Sequence, residues 1–228
     1  MNPKYLKLIA RIVTVATLLA LLAGLAPGAV LPAYAAPGDL TRISVDSSGA
    51  QANGSSRSGQ ISGDGRFVVF ESDATNLAGG AGGLFLKDRQ TGSITRIGVD
   101  GEDASISNDA RFIAFASSAI NEVSGDTNNA YDVFVYDRQS GVTTRVSVDS
   151  SGAQANAEST RPSISGDGRF VAFQSAATNL VSGDENGATD IFVRDNQTGT
   201  TERISRTSDG AGANASSSDP SISADGSV

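Results

Sequence analysis

Apolar residues in this chain come in short runs bounded by Gly, Asp, Asn and Ser, and the same runs return in the same order. ISGDGRFVVFES from Ile61, ISNDARFIAFAS from Ile106 and ISGDGRFVAFQS from Ile164 align without a gap, and ISADGSV begins at Ile222. Each full copy is followed by a second run: LFLKDRQTG from Leu84, VFVYDRQSG from Val133 and IFVRDNQTG from Ile191. A third comes next, TRIGVD from Thr95, TRVSVD from Thr144 and TERIS from Thr201, while TRISVD from Thr41 stands ahead of the first unit. The isoleucines that open the copies lie 45, 58 and 58 residues apart. Repetition of whole units at such a period marks an architecture of stacked supersecondary units.

Each unit reads as strands throughout. A short stretch ending in Ile-Ser meets Asp64-Gly65, Asp167-Gly168 or Asp225-Gly226, the dipeptide that supplies the positive φ of a tight hairpin. Asn108-Asp109-Ala110 departs from this, so Ala110 must avoid or tolerate a strained angle. The strand after the turn, 67–70 or 170–173, is apolar on both alternating faces, as is the strand after that, which predicts cover on both sides. A five-residue hairpin such as Asp137-Arg138-Gln139-Ser140-Gly141 leads to a last strand in which only Val146 and Val148 share an apolar face. Four antiparallel strands per unit, the middle two buried and the last half exposed, describe a blade stacked between two others. The expected fold is all-β: three full blades at about 61–100, 106–149 and 164–205, with lone flanking strands at 41–46 and 222–228. The short first interval is expected to have lost parts of two connections and no strand.

The succession I-S-x-D-G-R-x-V-A-F-x-S, then I-F-V-x-D-x-x-T-G, then T-x-R-I-S resembles the blade consensus of the TolB-like, WD40-like (PD40) β-propeller repeat, from Thr41 to Val228. The resemblance implies a propeller and only loosely a function. Three blades with two lone strands make an incomplete ring, and the chain is expected to be a fragment whose further blades lie beyond Val228. Kinship to TolB itself would imply a cell-envelope role through a peptidoglycan-associated lipoprotein. The repeats start too close to the leader to leave room for that protein's N-terminal domain, which argues against the role.

The N-terminus adds a compartment. Lys4, Lys7 and Arg11 precede an apolar run, Ile12 to Leu25, and Ala33-Tyr34-Ala35 supplies small residues for cleavage after Ala35. This is the layout of a secretory signal over 1–35, leaving 36–228 as the exported protein; an uncleaved anchor is the competing reading. Removing three cations and no acid shifts the net charge from −8 to −11. Such a surface repels phosphate backbones and predicts no nucleic-acid partner. With no Cys, stability must come from packing, alone or with bound metal.

Candidate chemistry is sparse. The chain has no His and no Cys, which excludes Ser-His-Asp and Cys-His nucleophilic arrangements and zinc sites built on those ligands. Lys87, the one lysine after the leader, stands where Tyr136 and Arg194 stand in the other units and is expected to face solvent. Asp64, Asp109, Asp167 and Asp225 recur once per unit at a turn, so a structural role accounts for them better than a glycosidase carboxylate pair does. The loop before the third strand offers more. Asp126, Asn128 and Asp132, and again Asp184, Asn186 and Asp190, follow Asp-x-Asn-x-x-x-Asp, an alternation of hard oxygen ligands suited to calcium. The pattern is similar to the shortened calcium loops of integrin-like propellers, though no Glu closes it. The competing reading is Asx-turns, in which these side chains bond nearby amides. The first unit has Gly79-Gly80-Ala81-Gly82-Gly83 there instead. The connector Asp-Ser-Ser-Gly-Ala-Gln-Ala-Asn, at 46–53 and 149–156, reads as a binding face or as plain linkage.

These readings predict no catalytic residue and no certain cofactor. The expected function is an exported, non-catalytic propeller that offers its loop faces to a protein or glycan partner, without a membrane span once the leader is removed. The alternative is the propeller portion of an exported hydrolase of the prolyl-oligopeptidase kind, which a longer reading frame carrying a G-x-S-x-G elbow would reveal.

Overall fold

A computed structural model describes residues 40–227, so the leader and its cleavage point lie outside the described residues. Twelve strands form three four-stranded antiparallel sheets, each built from four consecutive strands. The first holds β1 (Ser56–Ile61), β2 (Phe67–Ser72), β3 (Gly83–Asp88) and β4 (Ile94–Gly98). The second holds β5 (Glu102–Ile106), β6 (Phe112–Ser117), β7 (Asp132–Asp137) and β8 (Val142–Arg145). The third holds β9 (Ser159–Ile164), β10 (Phe170–Ser175), β11 (Asp190–Asp195) and β12 (Thr200–Arg203). The repeated Ile therefore ends the first strand of each sheet. The stretches 41–46 and 222–227, expected as lone strands, form no strand; Val45 makes a single bridge to Gln51, and Ser223 closes a turn with Ser227. They have no middle strand with which to build a ladder. No helix among the described residues is long and apolar enough to cross a membrane.

The sheets cohere through their middle strands. Phe70 pairs with Phe85, Phe115 with Phe134 and Phe173 with Phe192 across the second and third strands, with ring centroids 5.9, 5.7 and 5.9 Å apart. The Phe115 and Phe134 pair packs on Phe67, Val69, Leu84 and Leu86 of the first sheet. Phe173 and Phe192 pack in the same way on Ala114, Val133 and Val135 of the second. Ahead of the first sheet, Phe70 and Phe85 are covered by Ile43 and Ala52, which supply what a preceding blade would. Each blade thus sets an aromatic face into the aliphatic face of the blade before it.

A polar lock closes one end of every blade. Asp64 accepts from the Ser62 hydroxyl and the Arg66 amide, which shapes the Asp-Gly turn, and Ser62 in turn accepts the Phe67 amide. Arg66 then forks onto Asp88 of the hairpin between β3 and β4 at 3.0 and 2.6 Å. The same set recurs as Ser107, Asp109, Arg111 and Asp137, and as Ser165, Asp167, Arg169 and Asp195. Backbone bonds tie the turns together, from the Gly63 amide to the Asn108 carbonyl, from the Asn108 amide to the Gly166 carbonyl and from the Gly166 amide to the Ala224 carbonyl. Ala110 tolerates the angle expected of it, at φ 55° with its methyl fully buried against the first sheet.

Lys87 is not solvent-facing as its position in the repeat suggested. It is 5% exposed, and its Nζ donates to the carbonyls of Val45, Asp46 and Gly92. The 44–52 loop folds back over the third strand and buries the ammonium among oxygens, and that burial pushes its pKa down. Arg194 repeats the clamp in the third blade, with Nη1 donating to the Asp149 carbonyl.

Two measurements check this arrangement. At Gly168, with φ 77°, an added Cβ would meet Phe112 Cδ2 at 2.1 Å, whereas at Gly65, with φ 71°, it meets only the Arg89 guanidinium at 3.8 Å. Urea unfolding should show Gly168→Ala losing about 2 to 4 kcal/mol and Gly65→Ala about 1 kcal/mol. The second is pH. The Arg111 fork holds Asp137 at about 2 against the opposing effect of burial; at Asp88, burial is outweighed by Arg66 and the Gln90 and Thr91 amides, again giving about 2. Both folded values lie below the ordinary 3.8. Their stabilisation is therefore complete above the unfolded pKa and is lost as pH falls from roughly 4 towards 2. Urea midpoints should drop over that window, and Asp137→Asn should flatten the drop.

Candidate functional site

The residues expected to hold calcium lie beneath the loops that join the second and third strands, at 118–131 and 176–189. Asp126, Asn128 and Asp132 do come together, as do Asp184, Asn186 and Asp190. A guanidinium stands among each set. Arg145 Nε lies 3.1 Å from Asp132 Oδ2 and Nη2 3.5 Å from Asp126 Oδ2. Arg203 Nη1 lies 2.9 Å from Asp184 Oδ1 and 3.5 Å from Asp190 Oδ2. All four carboxylate side chains are at most 2% exposed.

The remaining partners are donors. Asn128 turns its amide nitrogen to Asp132 at 3.3 Å and Asn186 to Asp190 at 2.8 Å, while their Oδ1 atoms accept the Ala130 and Ala188 amides in Asx-turns. Ser147 and Ser205 hydroxyls donate to Asp132 and Asp190 at 2.7 and 2.6 Å. Gln154 Nε2 bridges Asp126 and Asp132 at 2.9 and 2.8 Å. Among the described residues no three acidic side chains converge as metal ligands. Burial raises the Asp132 pKa against Ser147, Gln154 and Arg145, and burial, then Asp190, raises that of Asp184 against Arg203. Each ionised form therefore opposes folding, an effect relieved as pH falls, the reverse of the lock aspartates.

The first blade shows what the arginine does without acids. Arg96, at the place of Arg145 and Arg203, donates through Nε to the Gly82 carbonyl at 2.9 Å and through Nη2 to the Val99 carbonyl at 2.8 Å. The cation is constant, and the loop above it supplies whichever oxygens its length permits.

The connectors prove to be clips between blades. Asp149 Oδ1 accepts the Ser151 and Ala153 amides and the Ser151 hydroxyl, folding the stretch into a compact turn. Asn156 then exchanges bonds with Thr178 and Asn179, and Asn179 Nδ2 donates to the Gln154 carbonyl. Asn53 repeats this with Thr75 and Asn76 in the first blade. Polar side chains that read as a ligand face are consumed in joining the sheets.

A surface that sequence reasoning missed lies along the first strands. Ser58, Asp103 and Arg161 have φ of 54°, 53° and 53°, and Asp219 has 56°, although none is glycine. Each stands three residues before the repeated Ile, and in β1, β5 and β9 a register shift marks a β-bulge there. The Asp103 amide is held by Glu71 Oε1 and that of Asp219 by Gln174 Oε1, each from the preceding blade. The four side chains are exposed and line an open cavity of ≈ 470 Å³ with Gln60 and Ser105. Arg161 and Asp219 form an ion pair across it. The signal was a position whose residue type changes in every copy of an otherwise regular motif.

Replacing Arg145 by Met strands two buried carboxylates, which should lower stability by about 3 to 5 kcal/mol. Arg96→Met removes a cation from carbonyls alone and should lose about 1 to 2 kcal/mol. Equilibrium urea unfolding of the pair distinguishes the two, and equal losses would contradict the ion-pair assignment.

No protein-family model matches the sequence, and no curated protein does. Solved structures do. TolB from Acinetobacter baumannii is 17% identical with a TM-score of 0.49, over 76% of this chain and 36% of that one. The putative TolB from Agrobacterium tumefaciens is 19% identical with a TM-score of 0.45, over 64% and 45%. The β-propeller domain of the Trilobed protease from Pyrococcus furiosus is 12% identical with a TM-score of 0.46, over 66% and 42%. The chain spans less than half the length of each. It is similar to TolB and related β-propeller proteins, and it holds three four-stranded sheets among the described residues.

Proposed function

We propose that this chain is an exported, non-catalytic propeller module that binds a protein or glycan partner, with the wall formed by its first strands as the contact surface. One observation supports this above the others: the same strained, exposed backbone position carries Ser58, Asp103, Arg161 and Asp219 in successive copies of the repeat. Where a repeat needs a residue for its fold, the residue repeats, as Ser, Asp and Arg of the lock do. A fixed backbone with changing side chains is how a scaffold presents a recognition pattern. The wall carries both signs of charge and hydroxyl and amide groups, which suits polar partners.

Purified protein should be screened against peptide and glycan libraries, and any hit measured against Asp103→Arg and Arg161→Glu. Both positions are exposed, so stability should change by less than about 1 kcal/mol. Affinity for a true partner should fall at least about tenfold. Hits that ignore both substitutions would place recognition elsewhere, and turnover of peptide, ester or glycoside substrates would end the non-catalytic reading. The same thermal melts address calcium at Asp126, Asn128, Asp132, Asp184, Asn186 and Asp190. An ion there would have to displace Arg145 or Arg203. A Tm that rises with Ca²⁺ and drops on Asp184→Ala supports a metal site, whereas a drop on Asp184→Ala with no response to Ca²⁺ assigns the cluster to its ion pairs alone.

A further inference from the structure

The grooves between successive blades are equivalent in the repeat but not in content. Between the first and second blades the groove is small, ≈ 230 Å³, because Arg138 fills it. Its guanidinium lies 4.4 Å from the centroid of the Phe67 ring, and its Nε donates to the Ala110 carbonyl at 2.8 Å. Arg66 lies 4.7 Å from the same ring, so Phe67 is held between two guanidinium groups and is 6% exposed.

Between the second and third blades the space grows to ≈ 530 Å³. Asn196 stands where Arg138 stood, and its short side chain reaches only the Gly168 carbonyl of its own blade, at 3.2 Å. Arg194 stands where Tyr136 stood and lines the groove, with its Nη1 donating to the Asp149 carbonyl and the Thr201 hydroxyl. Phe112, the counterpart of Phe67, keeps Arg111 at 4.6 Å and, among the described residues, has no second guanidinium over its ring; it is half-buried. Val142 at the rim is 56% exposed. The floor of Val135 and Val146 and the carboxylate of Asp137 match Leu86, Ile97 and Asp88 of the filled groove.

We propose that this second groove receives an arginine side chain from a protein partner, which takes the place that Arg138 fills within the chain one blade earlier. The filled groove shows the geometry that the occupant would adopt: a guanidinium over the ring that an arginine of the same blade already covers. The site is separate from the wall of first strands, so either proposal can fail without the other.

N-acetyl-L-arginine amide is the probe, titrated into the full chain while the aromatic resonances of Phe112 are followed by NMR. Saturable shifts are expected with a Kd on the order of 10 mM. Asn196→Arg should refill the groove from within, abolishing the shifts and raising the Tm. Asn196→Ala leaves the groove open and should retain them. Phe112 resonances unmoved by the probe, equal response to N-acetyl-L-lysine amide, or undiminished response in Asn196→Arg would each overturn the proposal. Loss of response in Asn196→Ala would do the same, since it would make Asn196 itself the ligand.

Discussion

The middle strands of each blade are apolar on both faces, and no blade can cover its own. In β2 all six residues are buried, a state that a free four-stranded sheet cannot reach. The aromatic pair of one sheet therefore has to find the aliphatic face of another, and the pairing is directional: Phe115 and Phe134 look back to the first sheet, Phe173 and Phe192 to the second. Stability is then a property of interfaces more than of sheets, and local features matter chiefly through how they let neighbours approach. The first strands show the consequence. β9 is largely buried against β5, β6 and β7 of the blade before it, whereas β1, preceded by no full sheet among the described residues, is exposed along its whole length.

The acids that recur in every blade serve that approach. A turn at the end of a buried hairpin leaves amides and carbonyls short of partners, and the Ser-x-Asp-Gly-Arg sequence supplies a hydroxyl, a carboxylate and a fork at the places where they are needed. The low pKa values of Asp64, Asp137 and Asp167 follow from that bonding, since each is held down by donors. Under the loops, Asp132 and Asp184 are perturbed upward by burial yet closed off by arginine, serine and amide donors. Perturbed titration in this molecule reports construction.

Period, the four strands of each full unit, buried faces and the Asp-Gly turns were legible in the sequence because they are local: hydrophobic alternation and turn chemistry act over two to five residues. What was not legible depended on segments that meet only in three dimensions. Lys87 reads as a surface residue until the 44–52 loop is seen to fold over it. The Asp-x-Asn-x-x-x-Asp loops read as cation cages because Arg145 stands 13 residues after Asp132, across a strand pair. A comparison of blades held the clue: Arg96 is present in the blade that has no acids, so the arginine could not be there only to answer them. The clip was visible in the same way. Gln-Ala-Asn connectors occur around the first and third blades together with Thr75-Asn76 and Thr178-Asn179, whereas the second blade has no such connector and carries Ile120-Asn121 at that place.

That co-occurrence explains how three equivalent blades come to differ in their surfaces. Where the connector is long, its turn exposes carbonyls above the third strand, and the residue there is a cation, Lys87 or Arg194. Where it shrinks to residues 99–101, no such carbonyl is within reach, a cation would be buried without partners, and Tyr136 takes the position. Tyr136 then stands beside Arg138 in the groove between the first two blades and helps to fill it. Restoring the long connector in the next blade ties the Arg194 guanidinium to the Asp149 carbonyl at the edge of the equivalent groove, and with Asn196 beside it the ring of Phe112 is left partly uncovered. A change of connector length on one end of a blade thus alters the content of a groove near its other end, through nothing more than where a buried cation finds its oxygens.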